Sequence, residues 1–337
     1  MNHTKNTRRF AVALAVPVLL LGAAACGSDS GSSGSPNSVQ VSGKFGEKPD
    51  ITAPKGKAPD KLVVKTISQG SGPAVQQGDF VRFDYAGVTT KDKQSLGSSW
   101  DQPQQQAKTD SSAPRRQIVL QLNQQGVAQA QQQYNLPPKV LQELVGQKAG
   151  SRIVVEGSAK AAVGDNLSPQ GSIKPEDGLV WVFDVAGAAA VDAKATAKGT
   201  QAAPADGMPE VTADPGKAAT FSIPKGQQPP KDLQQQVLIQ GKGPEIKTGD
   251  ALIAQYTGAL WDGGKKFDSS WHHGGAFAFQ IGTGSVIPGW DKGLVGKHVG
   301  DRVLLAIPAN QAYGATPPQG IPKNAALVFV VDILGKA

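Results

Sequence analysis

Between Tyr256 and Phe329 the chain gathers Tyr256, Phe267, Phe277, Phe279, Trp290, Tyr313 and Phe329, in a sequence that is only 6 % aromatic. One carboxylate, Asp268, directly follows Phe267. The strings Y-T-G-A-L-W-D-G-G-K-K-F-D-S-S, V-I-P-G-W and A-Y-G are punctuated by glycine and proline. Aromatic side chains beside turns, with a single carboxylate among them, fit an apolar concave pocket with few polar groups, the usual form of a small-ligand site. Core packing is the competing explanation for Trp290 and Phe329. A turn or capping role before Ser269-Ser270 competes for Asp268. His272-His273 lacks a third ligand at a sensible spacing, so the pair reads as a solvated loop, and no metal is expected.

Such a pocket needs a scaffold, and the chain carries two versions of one. Gln69, Gly70, Gly72, Pro73, Gly78, Asp79, Tyr85, Gly87 and Trp100 each recur 171 residues later, from Gln240 to Trp271. Leu144-Val145-Gly146 recurs as Leu294-Val295-Gly296 at a spacing of 150. The difference, 21 residues, is an insertion in the first copy between Trp100 and Val140. It is rich in glutamine and reads as an exposed loop plus a short polar helix around Val127 to Tyr134. Strand-like runs occupy Phe80 to Tyr85 and Arg152 to Glu156 in the first copy, and Ala251 to Tyr256 and Arg302 to Ile307 in the second. Val180 to Val185 and Leu327 to Ile333 close the copies as nearly continuous apolar runs. A helical turn is expected from Gly289 to Val295. The class is α+β, with an antiparallel sheet wrapped on a short helix in each copy.

At 337 residues the chain has room for about two domains. The net charge of +7 is spread along the sequence, and no Lys/Arg block is interleaved with aromatics, so no nucleic-acid partner is expected. The single cysteine, Cys26, forbids an internal disulfide. It follows a basic start (Lys5, Arg8, Arg9) and an apolar run from Phe10 to Leu21, too short to span a membrane comfortably. L-G-A-A-A-C-G resembles a bacterial lipobox, with Ala23 where leucine is commoner. The resemblance implies a signal peptide over 1–25, an acylated Cys26, and anchorage at the extracytoplasmic face of the cell membrane. The glycine/serine stretch that follows reads as a flexible tether over 26–44. The remaining divisions are a first copy over 45–187, a linker over 188–219, which its alanine content makes partly helical, and a second copy over 220–337.

The strings Y-T-G-x-L-x-D-G-x-K-F-D-S-S (Tyr256 to Ser270), V-I-P-G-W from Val286, A-Y-G from Ala312 and A-x-L-V-F from Ala325 together resemble the FKBP-type peptidyl-prolyl isomerases, a family that also binds macrolide immunosuppressants. The resemblance covers roughly 220–337. It implies Trp290 as the floor beneath a proline ring, and Tyr256, Phe277, Val286, Ile287 and Phe329 as walls. It implies hydrogen-bond donors at the Tyr313 hydroxyl and the Ile287 N–H, Asp268 as a lone buried carboxylate that either orients Tyr256 or meets a polar ligand group, and Phe267 and Ile321 at the rim. No cofactor is implied. Pro317-Pro318-Gln319 departs from the family where a histidine is common, which bears on the residue preferred before proline.

The first copy lacks this set. Leu96-Gly97 stand opposite Phe267-Asp268, Val140 opposite Trp290, and Ala162-Val163-Gly164 opposite A-Y-G. The expected activity is therefore prolyl isomerisation by the second copy, acting on proline-containing exported polypeptides. A non-catalytic peptide-binding holdase or surface interaction protein, gripping with both copies, is the alternative, since a fold alone does not fix function.

Overall fold

The computed structural model describes residues 38–337, apart from 55, 102–113 and 169–170. The signal segment and Cys26 lie outside the described residues. Among those described, no helix is long and apolar enough to cross a membrane.

The first domain comprises β1 (Gln40–Ser42), β2 (Asp50–Thr52), β3 (Val63–Ser68), β4 (Phe80–Thr89), β5 (Ser95–Ser98), β6 (Ile118–Gln121), α1 (Gln124–Tyr134), α2 (Pro138–Gln142), β7 (Arg152–Ser158), α3 (Ala159–Val163) and β8 (Gly178–Ala189). The second comprises β9 (Glu210–Thr212), β10 (Thr220–Ser222), β11 (Gln234–Ile239), β12 (Ala251–Leu260), β13 (Lys266–Ser269), β14 (Phe277–Gln280), α4 (Pro288–Leu294), β15 (Arg302–Ile307) and β16 (Leu327–Lys336). Strand order is β3-β7-β8-β4-β5 in one sheet and β11-β15-β16-β12-β13 in the other. The extra strands β6 and β14 pair with β4 and β12 respectively, so the two sheets share one topology. All pairings are antiparallel.

The apolar runs are continuous because both faces of each sheet are covered. Side chains alternate between faces along a strand. Leu327, Phe329, Val331 and Ile333 of β16, with Val303, Leu305 and Ile307 of β15, face α4 in the main core. Val328, Val330, Leu304 and Ala306 face the opposite way, beneath Met208, Val211 and Ala219 around the β9–β10 hairpin. In the first domain Val154, Val180 and Val182 are covered likewise by Val39 and Ile51 of the β1–β2 region. Both hairpins lie partly in stretches expected to be tether or linker, so each domain begins earlier than its strand pattern suggests. The 188–219 segment carries no helix. It is bonded along the second domain: Ala202 N–H donates to Leu238 O, Ala197 N–H to Asp332 Oδ2, and Gln255 Nε2 to Ala193 O.

Helix α4 is short and lies close to the sheet. A Cβ at Gly289 would fall 2.5 Å from Ile307 Cγ2, and one at Gly293 2.7 Å from Leu305 Cδ2. These two glycines let the helix drop onto β15 and press Trp290 and Leu294 into the core. The expected polar helix of the insertion is α1, starting three residues earlier than its pattern suggests. Asn123 caps it by accepting from the Gly126 N–H.

Candidate functional site

The site grows from a break in the edge of β12. That strand pairs with β14 over Ala251–Ala254 and with β13 over Thr257–Ala259. Gln255 and Tyr256, between these stretches, face the turn from β13 to β14 instead of a strand. Ser270 Oγ of that turn accepts the Tyr256 N–H at 2.9 Å and donates to Gln255 Oε1. The ladder thus opens without orphaning the backbone donor, and Tyr256, Asp268, His273 and Phe277 meet at the opening.

Trp290 lies at the centre, 4 % exposed. Three rings surround it at centroid distances of 5.2–5.3 Å: Tyr256 and Phe329 edge-on at 82° and 86°, and Phe279 tilted at 55°. Phe267 meets Phe329 edge-on at 5.6 Å. Phe277 stacks on Phe279 at 5.2 Å and remains 45 % exposed. Val286, Ile287, Tyr313 and Ile321 are half-buried against the same core. All ten residues to which the family resemblance gives a role therefore come to one region, and Phe279, the remaining aromatic of the sequence cluster, packs beside Trp290 among them.

Polar groups are few. Tyr256 donates its hydroxyl to Asp268 Oδ2 at 2.6 Å, and the Ser269 N–H donates to Asp268 Oδ1 at 2.8 Å. The bond to Tyr256 is the contact an orienting role requires, whereas the turn that follows has Ser269 at its N-cap with no side-chain cap bond, so Asp268 does not cap it. Asp268 is not the lone buried carboxylate, however. Its side chain is 36 % exposed, because it opens towards His273, whose Nε2 lies 2.8 Å from Oδ1. Asp301 and Asp332 are the deeply buried carboxylates of this domain. His273 is accordingly tied to the site and not merely a solvated loop residue. Among the described residues no group of three or more His, Cys, Asp or Glu is placed to hold a metal ion.

Burial raises the Asp268 pKa, but the hydrogen bonds from Tyr256, His273 and Ser269 outweigh it and hold the carboxyl below its ordinary value. Asp268 is therefore ionised at neutral pH. Its contribution to stability is complete above the ordinary carboxylate range and is lost as pH falls through the lower folded value. Burial, then the bond to Asp268, pushes the Tyr256 phenol far up, so it stays a donor. Burial and the Asp268 charge also raise Tyr313. Neither the Tyr313 hydroxyl nor the Ile287 N–H bonds to any described atom. Two donors therefore stand free beside an apolar floor.

Asp291 of α4 accepts the Gly282 and Gly284 N–H groups at 2.7 and 2.8 Å, shaping the loop that leads into Val286-Ile287. Arg116 of the first domain donates to the carbonyls of Thr283 (2.9 Å) and Gly284 on the same loop. Sequence reasoning missed this clamp and the His273 contact, since both are long-range or turn-dependent.

In the first domain the registers Gly87↔Gly97 and Gly258↔Asp268 place Gly97 where the second domain has Asp268. The Tyr85 hydroxyl donates instead to Tyr134 O at 2.9 Å, at the end of α1. A Cβ on Gly97 would lie 2.7 Å from that hydroxyl, and the Gly97 φ of +115° disfavours any side chain. Val140 fills the position of Trp290. Pro137, in the place of Ile287, has no N–H to offer. What remains is a cavity of about 300 Å³ lined by Leu96, Pro137, Val163, Leu167 and Trp181.

Residues 243–334 match the family model of the FKBP-type peptidyl-prolyl cis-trans isomerase. An FK506-binding protein of Streptomyces anulatus is 40 % identical over 111 residues, covering 32 % of this chain and 90 % of that protein. FK506-binding protein 1 of Debaryomyces hansenii is 45 % identical over 107 residues, covering 31 % and 95 %. Among solved structures, that of FkpA from Escherichia coli is 40 % identical, covering 31 % of this chain and 47 % of that one, with a TM-score of 0.29. With the family model matched over 243–334 and two of these relatives matched over nearly their whole length, the chain belongs to the FKBP-type peptidyl-prolyl cis-trans isomerases.

Proposed function

We propose that the second domain alone carries the isomerase activity, that its substrates are exported polypeptides, and that acylated Cys26 holds the protein at the outer face of the cell membrane. The carrying observation is the contrast between the domains: an apolar floor, an ionised Asp268 and two free donors in one, and Gly97, Val140 and Pro137 in the other.

The chemistry asks for no more than this. A peptide bond resists rotation by ~18–20 kcal/mol of amide resonance. Isomerisation of Xaa-Pro is correspondingly slow, on the order of tens to hundreds of seconds. In the twisted amide the nitrogen regains its lone pair and the carbonyl loses conjugation. Only interactions stronger in that state than in either planar form accelerate the step. The proline ring sits on Trp290 between Tyr256, Phe277, Val286 and Phe329, with Phe267 and Ile321 at the rim. The Ile287 N–H and the Tyr313 hydroxyl hold flanking carbonyls, so rotation occurs about one bond. Desolvation by the aromatic walls weakens the planar, more polar amide. Asp268 fixes Tyr256 through its hydroxyl and keeps that ring in place. A macrolide such as FK506, the ligand for which the relatives are named, would occupy the same floor and compete with substrate.

The test is cis/trans exchange on a short Xaa-Pro peptide by NMR, using the full chain with and without FK506. Asp268→Asn is expected to lower kcat/KM about tenfold, the effect of losing one charge-assisted hydrogen bond. Binding of the peptide without any exchange would instead make the protein a holdase. For the location, Cys26→Ser is expected to move the protein from the membrane fraction to the soluble fraction of expressing bacteria. Unchanged membrane association would remove the lipid anchor.

A further inference from the structure

A cleft of about 350 Å³ lies between the two domains, beside the site. One wall is the start of α1, with Asn123, Gln125 and Gln129. The other is the turn from His273 to Ala278, carrying Phe277. Tyr256 and Phe277 line this cleft and also belong to the aromatic site, so the two adjoin.

We propose that this cleft binds the stretch of polypeptide that flanks the isomerised prolyl bond. The proposal rests on the second domain being the isomerase and adds that the first domain supplies part of its substrate site.

Three observations carry it. The first is chemistry. Gln125 and Gln129 are exposed, and their side-chain carboxamides make no hydrogen bond with any described residue. A carboxamide offers both donors and an acceptor, which matches the main chain of an extended peptide whatever its sequence. No Lys, Arg, Asp or Glu lines the cleft, so a phosphate backbone or a charged small molecule finds no counter-charge there. Phe277, one of the few large apolar side chains left exposed, adds an apolar contact at the junction.

The second is origin. Helix α1 belongs to the 21-residue insertion that the second copy lacks. Its inward residues Val127 and Ala130 join the first domain's core, which directs Gln125 and Gln129 outwards to the cleft.

The third is fixity. The Gln117 N–H donates to Gln280 Oε1 at 2.8 Å, Arg116 Nε to Thr283 O at 2.9 Å, and Arg82 Nε to Ala337 O at 3.0 Å. The Ala276 N–H donates to Ala193 O at 2.7 Å. These bonds hold α1 and the 273–278 turn at a set separation. A preformed cleft adjoining the reaction site spares the substrate the cost of ordering it.

The experiment uses the full chain and two substrates: a tetrapeptide too short to reach α1, and an unfolded protein whose refolding is limited by proline. Gln125→Trp and Gln129→Trp fill the cleft from exposed positions, and Gln132→Trp, one turn further along α1 and outside the lining, is the control. Both cleft variants are expected to lower kcat/KM for the unfolded protein by about tenfold, the equivalent of one or two lost hydrogen bonds with their desolvation. Turnover of the tetrapeptide should stay within about twofold, as should the control on both substrates. An equal loss on both substrates, or none on the unfolded protein, overturns the proposal. In parallel, a twelve-residue proline-containing peptide is titrated while the side-chain amide signals of Gln125 and Gln129 are followed. They are expected to shift with this peptide and not with the tetrapeptide. Shifts that appear on concentrating the protein alone would assign the cleft to a second copy and also overturn the proposal. Absence of tetrapeptide turnover in the unsubstituted chain would strike the isomerase assignment instead, leaving the peptide titration to decide the cleft.

Discussion

Trp290→Ala in the full chain is expected to lower kcat/KM for a short Xaa-Pro peptide by about a hundredfold, the size of loss that follows when a reacting group is no longer positioned. It is also expected to cost about 3–5 kcal/mol of stability, as removal of a large buried aromatic side chain does. Tyr256, Phe279 and Phe329 all rest against the indole. Without it they border a void, and on the proposed mechanism the proline ring loses the surface beneath it. Stability and catalysis must therefore be separated, and Trp290→Phe does so. The indole Nε1 is buried with no hydrogen-bond partner. An unsatisfied buried donor costs about 1–3 kcal/mol, so phenylalanine relieves that penalty while giving up some packing area. Its net effect on stability is expected to stay within about 1 kcal/mol, since the two contributions oppose one another. Turnover should nevertheless fall, because a smaller ring leaves the proline less closely held. Urea unfolding read alongside NMR exchange checks both variants. A folded Trp290→Ala protein with undiminished exchange would show that the aromatic cluster is core and nothing more.

The aromatic set was legible in the sequence because its members crowd between Tyr256 and Phe329 and lie in strings that resemble the FKBP-type isomerases, and the strand registers show why they meet. Once β12 and β16 pair with Gly258 opposite Phe329, Tyr256 and Phe329 share a face. The first domain's losses at Gly97 and Val140 were legible in the same way, from the 171- and 150-residue spacings. Pro137 was equally visible at the spacing of 150, but its meaning requires knowing that Ile287 presents a free N–H.

What stayed hidden depends on turns or on distant partners. His273 meets Asp268 only because Ser270–His273 form a turn of 3₁₀ helix. Arg116 reaches Thr283 across 167 residues, and no local pattern signals that. The covering hairpins escaped because three-residue strands carry too few positions to show a period. One trace was available: Pro-Lys-Gly at 54–56 recurs at 224–226, 170 residues on, with each hairpin just before it.

Those hairpins and their neighbouring segments are tied down by a device repeated in both domains, and it yields the second large effect. Arg302 pairs with Asp332 through Nε–Oδ1 at 2.6 Å and Nη2–Oδ2 at 2.8 Å, both side chains only 7 % exposed. The remaining groups reach the 188–219 segment: Arg302 Nη1 donates to Gln201 Oε1 at 2.9 Å, and Asp332 Oδ2 accepts the Ala197 N–H at 2.9 Å. In the first domain Arg152 and Asp184 form the same bidentate pair. There Arg152 also donates to Gly43 O and Glu47 O, and the Gly46 N–H donates to Asp184. Removing one partner strands the other charge in the interior. Arg302→Met is accordingly expected to destabilise the second domain by about 3–5 kcal/mol, a large share of the roughly 5–15 kcal/mol that holds a domain folded. Arg302→Met combined with Asp332→Leu should recover most of that loss, because no buried charge is then left unpaired. The double variant still lacks the anchor of the 193–205 segment. Amide exchange there should accelerate while exchange in β15 and β16 returns towards that of the unsubstituted protein. Exchange measured on these strands reports the second domain separately from the first. Equal losses in the single and double variants would mean that the pair stabilises as a tether alone, and that water relieves the stranded carboxylate.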